Sequence, residues 1–264
     1  MAIKIEKSTL KNKFFSFDAL AILPDVETPE NFKSQFGVFT HGFTASKTDC
    51  LSWAQRFADA GAPAVIFDLP GHYLGSFEEV ESFDDFKEHA QLCFADALSF
   101  LNESVRKNNI EIEMTDLILG GHSLGALLAL KALDLEQFDD LNKMAICVGL
   151  GISQHKDTHL FESSFYQKTL DLRRQLVSPA LDSSNVFPWI KEEKLDLDLM
   201  NQKVHLITGL DDIVVGAGGL EALEFNLKSL GNDITSSEPK KLPHHEPSSA
   251  ASHINAFMRK EFSW

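Results

Sequence analysis

No run in this 264-residue chain approaches the roughly 18 consecutive apolar residues that a bilayer-spanning helix needs. The opening Met1-Ala2-Ile3-Lys4-Ile5-Glu6-Lys7 lacks the apolar stretch of a secretory signal. A cytoplasmic location without a membrane span is expected. Cysteine is scarce: Cys50, Cys93 and Cys147 are odd in number and widely separated, so neither a disulfide framework nor a zinc knuckle is indicated. Basic residues are in deficit, 24 Lys and Arg against 39 Asp and Glu, and the resulting charge of −15 repels phosphate backbones and anionic lipid. Nucleic acid and membrane surfaces are disfavoured as partners. Internal repeats and low-complexity tracts are missing too.

What is present is an ordinary globular composition, 44% hydrophobic and 24% charged, long enough to bury a sizeable core. The length fits one domain carrying an insertion. From Gly37 to Gly151 short apolar runs alternate with stretches of helical spacing, the pattern of βαβ units and a parallel sheet. Gly37-Val38-Phe39-Thr40, Ala64-Val65-Ile66-Phe67, Asp116-Leu117-Ile118-Leu119 and Met144-Ala145-Ile146-Cys147-Val148 read as strands apolar on both faces. Between them, Phe86, Ala90, Cys93, Ala97 and Leu101 recur at steps of three or four and predict one buried helix face. The alternation stops at Ile152 and resumes at Val204-His205-Leu206-Ile207-Thr208. Residues 152–202 therefore read as a mostly helical insertion into a core of residues 1–151 and 203–264. A last helix is expected toward Phe262, with Ile254, Phe257 and Met258 inward.

The strongest chemical signal is Gly121-His122-Ser123-Leu124-Gly125, a G-x-S-x-G set directly after one apolar strand and directly before a Leu-rich helix. Small residues at both ends allow the sharp turn that exposes a nucleophilic serine, and the helix N-terminus beneath it favours a developing oxyanion. Ser123 is the candidate nucleophile, with the Leu124 N–H as one oxyanion donor. Phe39-Thr40-His41-Gly42-Phe43 ends another strand in a loop suited to a second donor, the Phe43 N–H. His41 in that loop also reads as a turn residue that bonds backbone carbonyls.

With these motifs the chain resembles the α/β-hydrolase superfamily, esterase- and lipase-like, from Gly37 to Phe262. Asp68-Leu69-Pro70-Gly71-His72 is similar to the family's D-x-P-G-H-G-x-S turn, except that Tyr73 stands at the next Gly and Gly75-Ser76 come one residue late. Thr208-Gly209-Leu210-Asp211-Asp212-Ile213-Val214-Val215 is similar to its G-x-x-D-x-[IV]-V acid loop. The resemblance implies an α/β-hydrolase fold, a mostly parallel central sheet flanked by helices with a helical cap inserted after the sixth strand. It also implies a triad in the order Ser, Asp, His.

Serine needs a positioned base, and the base needs a carboxylate. Among ten histidines, His72, His89, His155, His159 and His253 read as solvated or core residues, and His205 as a core residue within a strand. His155 and His159 flank Asp157 without the third ligand of a metal site. His122 adjoins the nucleophile and in the family packs. Two neighbours remain, His244 and His245 in Leu242-Pro243-His244-His245-Glu246-Pro247, where the family usually has Gly before its base. The His-Glu-Pro run, similar to that of family esterases, favours His245. Counting from Gly209 along the acid-loop pattern favours Asp212 over Asp211, which reads as a capping carboxylate.

The expectation is a serine hydrolase that cleaves a carboxylic ester or related acyl bond of a small molecule through Ser123, His245 and Asp212. No cofactor or metal is called for. His41, Gly42, His122, Phe161, Phe165 and Trp189 are the candidate substrate-side residues. The same site would also serve C–C or thioester hydrolysis, lyase or synthase chemistry, or acyl transfer. A non-catalytic receptor on this fold is the rival of another class, although a receptor has no need of all three side chains. Net charge argues slightly against phosphorylated acyl carriers, and Arg173-Arg174 in the insertion could locally reverse it.

Overall fold

The computed structural model describes residues 3–25, 32–153 and 164–264, with backbone alone for residues 164–166. Eight strands form one sheet: β1 (Lys4–Lys11), β2 (Ser16–Leu23), β3 (Gln35–Thr40), β4 (Ala64–Phe67), β5 (Asp116–His122), β6 (Asn142–Val148), β7 (Lys203–Ile207) and β8 (Asp233–Ser237). Their order is β1-β2-β4-β3-β5-β6-β7-β8. β1 pairs antiparallel with β2 and β2 antiparallel with β4; every other pairing is parallel. The four strands read from Gly37 to Val148 lie in the parallel part, flanked by neighbours on both sides. β1 alternates exposed and half-buried residues, which is why the run-based reading passed over it; β2 alternates half-buried with buried residues and ends in the buried Ala21-Ile22-Leu23.

Apolar residues on both faces of the central strands feed two cores. Phe36 and Val38 of β3 and Leu117 and Leu119 of β5 face one core; Phe39 and Ile118 face the other. Helices cover each. On one face lie α2 (Phe83–His89), α3 (Cys93–Lys107), α4 (Leu124–Ala132) and α7 (Gly219–Ser229); on the other lie α1 (Leu51–Asp59) and α8 (Ala251–Phe262). Phe86, Ala90, Cys93, Ala97 and Leu101 are all buried, but a short 3₁₀ turn at Ala90–Leu92 divides their helix into α2 and α3. Ile254, Phe257 and Met258 of α8 are buried as their spacing implies.

α4 is apolar nearly all round, and Leu124, Leu127, Leu128 and Leu130 are completely buried. Each such leucine contributes about 2 kcal/mol of transfer free energy, enough together to hold the residue before the helix in an unfavourable conformation.

Between β6 and β7 lie α5 (Ser164–Arg174) and α6 (Ser183–Glu193). Tyr73 N–H donates to Leu176 O at 2.9 Å and Ser178 N–H to Gly71 O at 2.8 Å, so this stretch is laced to the loop after β4. Tyr73, the departure from the family turn, thus makes a backbone contact with the segment after α5.

Candidate active site

β5 ends at His122 and α4 begins at Leu124, leaving Ser123 alone to turn the chain. It does so at φ 51° and ψ −111°, a conformation that costs an L-residue about 1–3 kcal/mol. The turn is possible because its flanks are bare. A Cβ on Gly121 would lie 2.4 Å from the carbonyl carbon of Gly125, and one on Gly125 would lie 2.4 Å from His41 O. Ser123 N–H donates to Val148 O at 2.9 Å, which ties the elbow to the end of β6. Leu124 opens the helix, where an N–H has no intrahelical partner.

The loop after β3 lies against this elbow. A Cβ on Gly42 would be 2.7 Å from His122 Nδ1 and 3.3 Å from Ser123 Cβ. His41 is fully buried; its Nε2 accepts the Leu69 N–H at 2.9 Å, so its Nδ1 carries the proton and donates to Gly42 O at 2.8 Å. That bond fixes the orientation of the Gly42–Phe43 peptide and so of the Phe43 N–H. Burial lowers the His41 pKa from 6.5 to about 4 and keeps the ring neutral. Phe43 packs edge-on against His72 and against Phe187 of α6. Beneath the loop, buried Asp68 accepts the Lys47 N–H at 2.7 Å and pairs with the Lys47 ammonium. Burial raises the pKa of Asp68.

Asp212 follows β7 and is buried. Its Oδ1 accepts the N–H groups of Val214 and Val215, each at 2.9 Å, and its Oδ2 lies 2.8 Å from His244 Nδ1. Here the structure corrects the sequence reading: the histidine that faces Asp212 is His244. His245 turns outward, its side chain 80% exposed with Nε2 3.8 Å from Glu246. Asp211 accepts the Leu242 N–H at 2.7 Å and so secures the histidine loop, as a capping carboxylate would.

His122 stands between the two halves of the site. Its ring centroid is 4.6 Å from that of His244, its Nε2 is buried without a partner among the described residues, and burial drives its pKa well below 6.5. His122, Gly149, Asp212, Leu242 and His244 pack closely together around these rings.

Other candidates sit elsewhere. Trp189 is buried edge-on against Phe83 and Phe86, with its indole N–H on Glu193 at 2.9 Å, which makes it a packing residue of α6. Phe161, His155, His159 and the Phe165 side chain lie outside the described residues. His205 bonds Thr235 Oγ1 at 2.8 Å and stacks on Phe257, and burial lowers its pKa to about 4. No cluster of three metal-binding side chains occurs among the described residues.

The sequence reading passed over two contacts from the segment after β6. Arg173 Nη1 donates to Thr44 Oγ1 at 2.6 Å, in the loop after β3, and Lys194 Nζ donates to Gly151 O at 2.5 Å. Neither is signalled locally, because a cation near a helix end reads as solvated.

A family model described as "Alpha/beta hydrolase family" matches residues 38–212, which takes in the loop after β3, the serine turn and Asp212. The chain belongs to the alpha/beta hydrolase family. No curated protein matches it in a sequence search. Solved structures resemble it over 98% of its length. They include the Francisella virulence factor BioJ, 16% identical with a TM-score of 0.63 over 85% of that chain, and an esterase of Pyrococcus furiosus, 13% identical with 0.61 over 90%. The acylaminoacyl peptidase of Pyrococcus horikoshii is 17% identical with a TM-score of 0.59, and the match spans 41% of the peptidase. At these identities the likeness is one of fold. Among the described residues no helix of this family member is long and apolar enough to cross a membrane.

Proposed function

We propose that the chain is a serine hydrolase of small-molecule carboxylic esters, with Ser123 as nucleophile, His244 as general base and Asp212 as its partner. The single observation that carries this reading is the 2.8 Å His244–Asp212 bond beside a strained serine at a strand-to-helix elbow. With Nδ1 committed to Asp212, the lone pair of His244 is on Nε2, the nitrogen that can take a proton from a hydroxyl.

In the first step Ser123 Oγ bonds to the ester carbonyl carbon while its proton passes to His244 Nε2. Negative charge collects on the carbonyl oxygen, and the N–H groups of Phe43 and Leu124 hold it. Collapse breaks the C–O bond, and the leaving alkoxide takes the proton from His244. Water then attacks the acyl-enzyme, giving its proton to His244, and the carboxylic acid leaves as Ser123 is restored. Asp212 stabilises the imidazolium throughout. These steps call for no cofactor or metal. Residues 152–202 act as a cap over the site, and the three buried, unbridged thiols favour a reducing compartment, the cytoplasm.

A fluorophosphonate should label Ser123, and Ser123→Ala should stay folded by near-UV circular dichroism yet lose activity on 4-nitrophenyl esters by about 10⁴-fold or more. Near-normal hydrolysis by folded Ser123→Ala would overturn the reading.

A further inference from the structure

Lys194 follows α6 and points its ammonium toward the core, where Nζ donates to Gly151 O at 2.5 Å. Gly151 lies just beyond the end of β6 and is packed against Val215, whose N–H is bonded to Asp212. The ammonium is thus on the seam between cap and core, next to the acid loop, and Asp212 is the charged group that acts on it. Among the described residues, the carboxylates of Asp212, Asp211 and Glu193 are engaged elsewhere. Asp212 is saturated by His244 and two backbone N–H groups, and Asp211 holds Leu242. Glu193 is engaged by Lys131 and Trp189. Among the described residues Lys194 has one carbonyl acceptor and no ion pair.

Withdrawing an ammonium from water without an anionic partner is unfavourable, and burial lowers the Lys194 pKa from 10.5 to about 8. It is still protonated at neutral pH. In a chain of net charge −15, a cation kept unpaired at this seam has two N–H donors left for a ligand. Arg173, reaching Thr44 on the oxyanion-loop side, adds a second cap-borne positive charge near the same site.

From this arrangement we infer that the acyl part of the substrate carries a carboxylate, and that Lys194 binds it. The inference rests on the serine-hydrolase reading and names the substrate class of that site. An ester of a dicarboxylic acid with one free end would place its reacting carbonyl at Ser123 and its carboxylate on the ammonium. A charged hydrogen bond of this kind discriminates by about tenfold or more.

The test pairs 4-nitrophenyl half-esters of succinic, glutaric and adipic acid with the same compounds capped as methyl esters, equal in reach and lacking the charge. The expected result is that at least one half-ester exceeds its capped mate in kcat/KM by about tenfold. Lys194→Met should abolish that ratio and Lys194→Arg should keep it. The inference is overturned if capped esters are cleaved as well or better throughout, or if folded Lys194→Met slows both classes alike. If a fluorophosphonate does not label Ser123, the hydrolase reading falls separately. Calorimetric binding of glutaric acid monoamide to the wild-type and Lys194→Met chains then decides the charge question: tighter binding to wild type supports it, and equal or no binding overturns it.

Discussion

His244 Nδ1 lies 2.8 Å from Asp212 Oδ2, while its neighbour His245 is turned to solvent beside Glu246. Two adjacent residues of one loop point opposite ways, and the loop is held so by the Asp211 carboxylate on Leu242 N–H. Under the proposed mechanism, proton transfer from Ser123 uses the inward ring.

It follows that His244→Ala and Asp212→Asn should each lower kcat by about 10³-fold or more. His245→Ala should leave kcat within a few-fold, because an exposed side chain contributes little. Steady-state kinetics of the three folded variants checks this, and an inactive His245→Ala beside an active His244→Ala would reverse the assignment.

Gly149 has φ 64°, and a Cβ there would sit 3.0 Å from His122 Nε2 and 3.2 Å from His244 Nδ1. Replacing it by Ala combines left-handed backbone strain of about 1–2 kcal/mol with pressure on the His244 ring. Gly149→Ala should lower the urea midpoint and also cut kcat. A variant that loses stability but keeps full kcat would show that the ring tolerates the displacement.

Burial holds His41 and His205 neutral, with pKa values lowered from 6.5 to about 4. Between those limits the unfolded chain binds more protons than the folded one. Stability should therefore be full above pH 6.5 and decline as pH falls toward 4, by up to about 1.4 kcal/mol per pH unit for each ring. His205→Gln, remote from the serine elbow, should flatten the slope of urea-derived stability between pH 7 and 5. An unchanged slope would remove His205 from the account.

Trp189 is packed against Phe83 and Phe86, so Trp189→Ala should cost about 3 kcal/mol of stability. Its effect on the preference among 4-nitrophenyl esters of different chain length should be small. A changed chain-length profile in folded variant would return Trp189 to the substrate side.

Local sequence determined much of this protein. Apolar strands of β3, β4, β5 and β6, the all-round apolar α4 and the glycine-flanked Ser123 are encoded by short-range periodicity and by which residues a tight turn admits. They are legible because each depends on neighbours within a few positions. Asp212, the carboxylate that faces His244, is the one singled out by its spacing from Gly209. The choice of His244 over His245 belongs to the tertiary structure, since both follow Pro243 in the same loop and their directions depend on contacts with Asp211 and Asp212, some thirty residues earlier. The antiparallel β1–β2 edge likewise depends on pairing with β4, because β1 alternates exposed and half-buried residues and carries little apolar signal of its own. Lys194 is the extreme case: its sequence context is that of a solvated helix end, and only the docking of α6 against Gly151 turns a surface cation into an inward-facing one.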